Sequence, residues 1–203
     1  MSALITNQIP EQNFELITKQ LGVILFLELN NQNDLLPLDN KYDIGLFLER
    51  QNKIDSSEDV VVNVSYNSSQ FSNQNEKSSQ SDSTFNIDVY VNGVYSGLMT
   101  GDEDSRLKHH KVVGWIRYIL SSTVYRTLGL PFGIIMSTDV QSINFDDNYG
   151  NEDGNFIRMC RIVFSVRHIE DCELESGVAL LGHDSTIKLD LTNKGYKFNF
   201  NND

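Results

Sequence analysis

The sequence predicts an α+β fold, in which a mainly antiparallel (mixed) sheet is packed by two helices, with a long hairpin loop and a C-terminal extension. Three observations predict it. Two segments repeat apolar residues at helical spacing, several others alternate apolar and polar residues, and strand candidates follow one another with few helices between them.

The first helix opens near Pro10. Phe14, Ile17, Leu21, Ile24 and Leu25 recur on one helical face, and Glu11 and Glu15 stand where the helix dipole favours anions. Pro10 suits an N-terminal position because its missing N–H would be unpaired there anyway. Gly22 weakens the middle, which leaves a strand alternative for Val23 to Leu29. The helix reading runs to about Leu29 and ends in the cluster Asn30, Asn31, Gln32, Asn33. Short strands are expected at Ile44 to Glu49 and at Asp59 to Tyr66. In the second, Val60, Val62 and Val64 take one face and Val61, Asn63 and Ser65 the other.

Composition then shifts. Asn67 to Thr84 is nearly all Ser, Asn, Gln and charge, with Phe71 its one aromatic. Such a stretch buries too little apolar area to offset its ordering entropy, so it reads as a long mobile loop. Phe85 to Val94 resumes the strand pattern, with Phe85, Ile87, Val89 and Val91 alternating with Asn86, Asp88, Tyr90 and Asn92. The second helix is expected from Ser105, as N-cap, to Leu128. Asp102, Glu103 and Asp104 precede it, and Val112, Ile116, Ile119, Leu120 and Val124 form its stripe, widened by Trp115 and Tyr118. Gly129 and Pro131 mark the stop, giving a helix of about 35 Å. Short strands at Ile134 to Met136 and Val140 to Phe145 lead to an acidic turn, Asp146 to Asn155. Phe156 to Ile169 is the strongest strand, with Cys160, Ile162, Phe164, Val166 and His168 toward the core. One domain thus spans residues 1–170. The extension, 171–203, holds two more strand candidates, Thr186 to Leu191 and Tyr196 to Phe200.

Chemistry is not advertised, and no catalytic residue, metal ligand or cofactor is assigned. His109 and His110 are adjacent on a helix, so their side chains diverge by about 100° and do not chelate one ion. Asp146, Asp147, Glu152 and Asp153 lack the alternating oxygens and bidentate Glu of a calcium loop. Cys160 and Cys172 share no spacing logic, and glycine-rich phosphate cradles are missing. The net charge is -12, with sixteen of the 28 acids but only five of the 16 bases in residues 1–105. A duplex-gripping protein has the opposite balance, whereas an acidic one repels the DNA backbone and lets it slide. No apolar run approaches the ~20 residues that cross a membrane, and no basic residue precedes an apolar run at the N-terminus, so neither membrane insertion nor secretion is expected.

The order of elements resembles the tail-terminator proteins of long-tailed bacteriophages, and related neck and tail-completion proteins. The features that carry it are the Val60 to Tyr66 strand, the polar loop, the Phe85 to Val94 strand, the Trp115-bearing helix and the closing run Arg161 to Asp171. It covers about residues 10–170. The resemblance implies a virion protein, assembled in the host cytoplasm, that closes into a ring, usually a hexamer. Such a ring ends polymerisation of the tail tube protein, meets the head-side connector, and lets genomic DNA pass its lumen without specific binding. Within that frame the polar loop is the expected partner contact, through Phe71, Asn73, Asn75, Glu76 and Lys77. The alternating Ile187, Leu189 and Leu191 of the extension are the expected subunit contact, pairing within their own chain or with a neighbour. Two features depart from the simplest family pattern: the length of the Asn67 to Thr84 loop, and the segment after Glu170. Another neck ring, or a non-catalytic adaptor whose sheet edge holds a partner, is the alternative reading.

Overall fold

Alternation in the central strands decides which face of the sheet is dry. The computed structural model describes residues 8–51, 55, 57–73, 78–93, 100–146, 156–171, 182–188 and 195–201. Five strands form one sheet: β1 (Ile44–Leu48), β2 (Val60–Asn73), β3 (Ser78–Gly93), β4 (Ile135–Asp146) and β5 (Phe156–Asp171), ordered β1-β2-β3-β5-β4. β1 runs parallel to β2, and the other pairs are antiparallel. The dry face presents Val60, Val62 and Val64 of β2, Phe85, Ile87, Val89 and Val91 of β3, and Cys160, Ile162, Phe164 and Val166 of β5, all buried. Against it pack α1 (Asn13–Asp34), through Ile17, Leu21, Leu25 and Leu29, and α2 (Gly101–Leu120), through Val112, Ile116, Ile119 and Leu120. The fold is α+β, as the sequence predicts.

Boundaries differ where side-chain hydrogen bonds outvote propensity. α1 begins at Asn13 rather than Pro10, because Glu15 Oε2 accepts the Gln12 N–H at 2.7 Å and fixes the first turn there. It continues through the Asn cluster to Asp34. Asn30 Nδ2 donates to Phe26 O at 2.8 Å, and Asn33 both donates to Tyr42 O and accepts the Tyr42 N–H. These asparagines spend their polar groups on holding the helix rather than ending it. Gly22 has a packing reason: a Cβ there would lie 2.7 Å from Leu48 Cδ2, so glycine lets α1 close onto β1.

α2 starts at Gly101, with Thr100 as N-cap, whose Oγ1 accepts the Glu103 N–H at 3.2 Å. Ser105, the expected cap, is buried inside the helix and donates to Asp102 O. The helix stops at Leu120, well short of Leu128. A 3-10 turn over Thr123–Tyr125 follows, then the left-handed pair Leu128 and Gly129 at φ 50° and 73°. α2 is therefore about 30 Å long. Val124 leaves the stripe and is exposed.

The largest correction concerns Asn67 to Thr84. It is not a loop: β2 runs to Asn73 and β3 begins at Ser78. Ser69 stands opposite Ser83, Phe71 opposite Ser81 and Asn73 opposite Ser79. On its other side β3 pairs with β5 from Ser78↔Asp171 to Thr84↔Ser165. A central strand gains backbone hydrogen bonds from two neighbours, and that satisfies a polar chain as well as an apolar one. Reckoning by apolar side-chain area alone misses this. The two short strands after α2 are likewise one, β4, with register shifts between Ile135/Ser137 and Val140/Ser142. Residues 147–155 of the expected acidic turn lie outside the described residues.

The chain divides into two units, one over Gln8–Cys172 and one that includes Glu173–Asp203. In the second, β6 (Gly182–Lys188) pairs antiparallel with β7 (Gly195–Asn201), with Ile187 in register with Tyr196. The strand expected over Thr186–Leu191 thus starts earlier and pairs within its own chain. Leu189 and Leu191 lie outside the described residues.

Where β3 ends and α2 begins, the chain leaves no room. A Cβ on Gly93 would sit 1.9 Å from Gly101 O. Gly93→Ala should therefore cost about 1–3 kcal/mol or more through forced displacement. Urea unfolding checks this, and an unchanged midpoint would contradict the close approach.

Candidate interaction surface

The middle of α1, from Leu21 to Leu27, is apolar on every side, which a helix on one side of a sheet does not need. Beyond its core stripe, Val23, Phe26 and Leu27 point outward and are 51–60% exposed. The outward face between Lys19 and Asp34 otherwise carries amides, and Lys19 is drawn toward Glu11 at its N-terminal end. Leu35 and Leu38, just past the helix, are also exposed. The surface is built for burial and nothing within the described residues buries it.

A second open feature is the outer edge of β2. β1 covers that edge only from Val60 to Val64. Glu49 closes the covered part, giving its N–H to Val64 O and accepting the Tyr66 N–H on Oε1 at 2.7 Å. From Asn67 to Asn73 no strand among the described residues lies beyond β2, although on its other side β2 stays paired with β3 past a register shift between Tyr66 and Ser68. Phe71 is 57% exposed on this edge, on the same face as Ser81. Of the expected partner residues, the structure thus places Phe71 and Asn73 on an open strand edge. Asn75, Glu76 and Lys77 lie outside the described residues.

Between the C-terminal halves of the helices is a recess of about 540 Å³. Its walls are Trp115, Tyr118 and Ile119 of α2 and Val124 and Tyr125 of the turn after it; Glu28 of α1 enters from the other side. The Tyr125 hydroxyl donates to Glu28 Oε1, and this bond, with desolvation, raises the tyrosine's pKa and keeps it a donor. Sequence periodicity hid the recess because it assigned Trp115, Tyr118 and Val124 to a longer helix stripe. The early end of α2 turns Val124 and Tyr125 back toward α1.

The acidic start of α2 is paired. Asp102 meets Arg158 at 2.7 Å, and Lys108 bridges Asp104 and Asp59, each at 2.9 Å. Burial alone would lower the Lys108 pKa, but its bonds to the two carboxylates raise it. His109 and His110 both contact the Phe145 ring edge-on, at 5.3 and 5.5 Å. Among the described residues no three His, Cys, Asp or Glu side chains form a metal site. Nor is any described helix long and apolar enough to cross a membrane. Cys160 is buried, which with the nearby Asp88 pushes its pKa up to about 12 and leaves the thiol inert. Cys172 lies outside the described residues.

One cluster has the residue types of a nucleophile–base–acid relay. Ser83 Oγ lies 2.7 Å from His168 Nε2, and His168 Nδ1 lies 3.5 Å from Glu170 Oε1. Burial decides its role. Ser83 and His168 are 0% exposed and Glu170 4%, so no substrate reaches the hydroxyl. Ser83 is also bonded to Ser69 and Ser81. Glu170 is committed to α1, accepting the Asn13 and Phe14 N–H groups at 2.8 and 3.1 Å. Hydrogen bonds link Ser69 of β2, Ser83 of β3 and His168 of β5, and Glu170 of β5 separately holds α1; between the two groups His168 Nδ1 approaches Glu170 at 3.5 Å without a hydrogen bond. Sequence reading put His168 on the core face but missed its partners; the signal was that Ser79, Ser81 and Ser83 keep the parity of Phe85, Ile87 and Val89.

No protein-family model matches this sequence, and a search of curated proteins finds no relative.

Burial lowers the His168 pKa below its ordinary 6.5, with Glu170 opposing. Above that value the imidazole is neutral in both folded and unfolded chains, and stability is at its full level. As pH falls through 6.5 the unfolded chain takes up a proton that the folded one resists, so stability declines. Urea midpoints from about pH 7.5 to about pH 5 should fall in the wild type and fall less steeply in His168→Gln. Equal slopes would contradict the buried neutral histidine.

Proposed function

We propose that this chain is a non-catalytic structural subunit that closes into a ring, acting in a bacteriophage virion as a tail-terminator protein. There it would cap the tail tube and join it to the head-side connector. The observation that carries the self-assembly is the outward apolar face of α1, with Val23, Phe26 and Leu27 exposed on a helix whose core stripe is already buried. Exposed apolar area of this kind gains about 25 cal/mol per Å² when another surface covers it. The α+β body agrees with the resemblance in element order. The charge of -12 agrees with a wall that DNA slides past.

Helix-face contact accounts for a closed ring better than strand addition at β4. That edge is broken by two register irregularities, the usual defence against edge pairing. The open stretch of β2 from Asn67 to Asn73, with Phe71, is then left for the tube or connector. The adaptor reading, in which a sheet edge holds a partner, draws its support from the same open stretch of β2, and it predicts a monomer with a one-to-one partner.

Mass photometry of the purified protein should show one closed oligomer, with rings visible by negative-stain electron microscopy. The double variant Phe26→Asp, Leu27→Asp should keep the wild-type circular dichroism and collapse to monomer. A wild type that stays monomeric at every concentration, or a variant that still forms rings, would refute the proposal.

A further inference from the structure

The recess between α1 and α2 holds a combination that a core or a solvated surface does not require. Glu28 is half-buried, and its one polar partner among the described residues is the Tyr125 hydroxyl. No described Lys or Arg lines the recess, whereas the aromatic side chains of Trp115, Tyr118 and Tyr125 do. Lys111 stands 5.8 Å from the Trp115 ring centroid but is not among the lining residues. A half-buried carboxylate attracts a cation, and aromatic faces attract the same charge through their quadrupoles. Carboxylate and rings therefore select one ligand class.

Two features narrow that class. Gln32 lies one turn beyond Glu28 on the same wall, so its amide carbonyl adds a second acceptor beside the carboxylate. A planar guanidinium, with several donors and weak hydration, can stack on an aromatic ring and bond both acceptors, whereas an ammonium is a compact and strongly hydrated charge. The rim is apolar and open, with Tyr118 81% and Val124 79% exposed. A free small cation has no use for such a rim, but the residues flanking an arginine in a chain do. The net charge of -12 favours approach of a basic partner.

We propose that this recess docks an arginine side chain carried on an exposed segment of a partner protein, with the guanidinium bonded to Glu28 and Gln32 and the flanking residues on Tyr118 and Val124. The site works equally in a ring or a monomer, so it stands or falls apart from self-assembly.

Trp115 is the chain's single tryptophan, so intrinsic fluorescence reports the recess directly. A capped tripeptide of arginine between two leucines should change the emission saturably. Replacing arginine by citrulline, or Glu28 by Gln (Glu28→Gln), should weaken binding about tenfold or more, since either change removes the charge pair while Tyr125 can still bond the amide. Tyr118→Ala, at an exposed position, should weaken the peptide as well, with circular dichroism unchanged in both variants. No response to the arginine peptide would overturn the proposal. So would equal binding of the citrulline peptide, or unchanged binding by Glu28→Gln. N-acetylarginine amide binding as tightly as the tripeptide would overturn the partner-segment assignment in favour of a small-molecule site.

Discussion

The structure depends on one buried carboxylate. Glu170, near the end of β5, accepts the N–H groups of Asn13 and Phe14 at the start of α1, a contact across 157 residues of chain. The first N–H groups of any helix lack partners within it, and the dipole concentrates positive charge at the same point. A carboxylate placed there meets both needs, at about 1.5–3 kcal/mol for each charge-assisted bond. Asn13 Nδ2 donates to Ile169 O, so the first turn is held by side chain as well as backbone. The position of α1 on the sheet is therefore set by polar bonds at its N-terminus, with the leucine stripe filling in behind.

What α1 presents follows from that placement. Its inward face completes the core with Ile17, Leu21, Leu25 and Leu29, while Phe26 and Leu27 are turned away from the sheet. Glu28 is carried to the wall shared with α2, where the early end of that helix brings Tyr125 round to meet it. Below the anchor, His168 lies 3.5 Å from Glu170 and is hydrogen-bonded to Ser83 inside the sheet. Dispersion packing and hydrogen bonding thus divide the molecule: an apolar half under the helices' middles, and a serine-rich half whose order comes from the ladder of β2, β3 and β5.

That division explains how much was legible in the sequence. Strands and helices with apolar periodicity were readable, because burial of Val60, Val62 and Val64, or of Ile162, Phe164 and Val166, leaves a two-residue repeat. The serine-rich half was not, since Ser79, Ser81 and Ser83 keep the repeat but not the hydrophobicity. Helix ends were misplaced where side-chain hydrogen bonds decide them: Glu15 and Glu170 at the start of α1, Asn33 with Tyr42 at its end. Of the interaction surface, Phe71 was singled out as a lone aromatic. Phe26 and Leu27 were hidden by a reading that took the first helix as an ordinary core helix. The recess needed the turn after Leu120, which no local pattern announces.

Hydrogen exchange in Glu170→Gln tests the anchor most directly. The two bonds fall on different carboxylate oxygens, so the amide can accept only one and must point its own donors at the other N–H. Amides of α1 should lose protection well before those of α2, while β2, β3 and β5 keep theirs. Wild-type protection of α1 in that variant would mean that packing alone seats the helix, and that the polar chain beneath it is incidental.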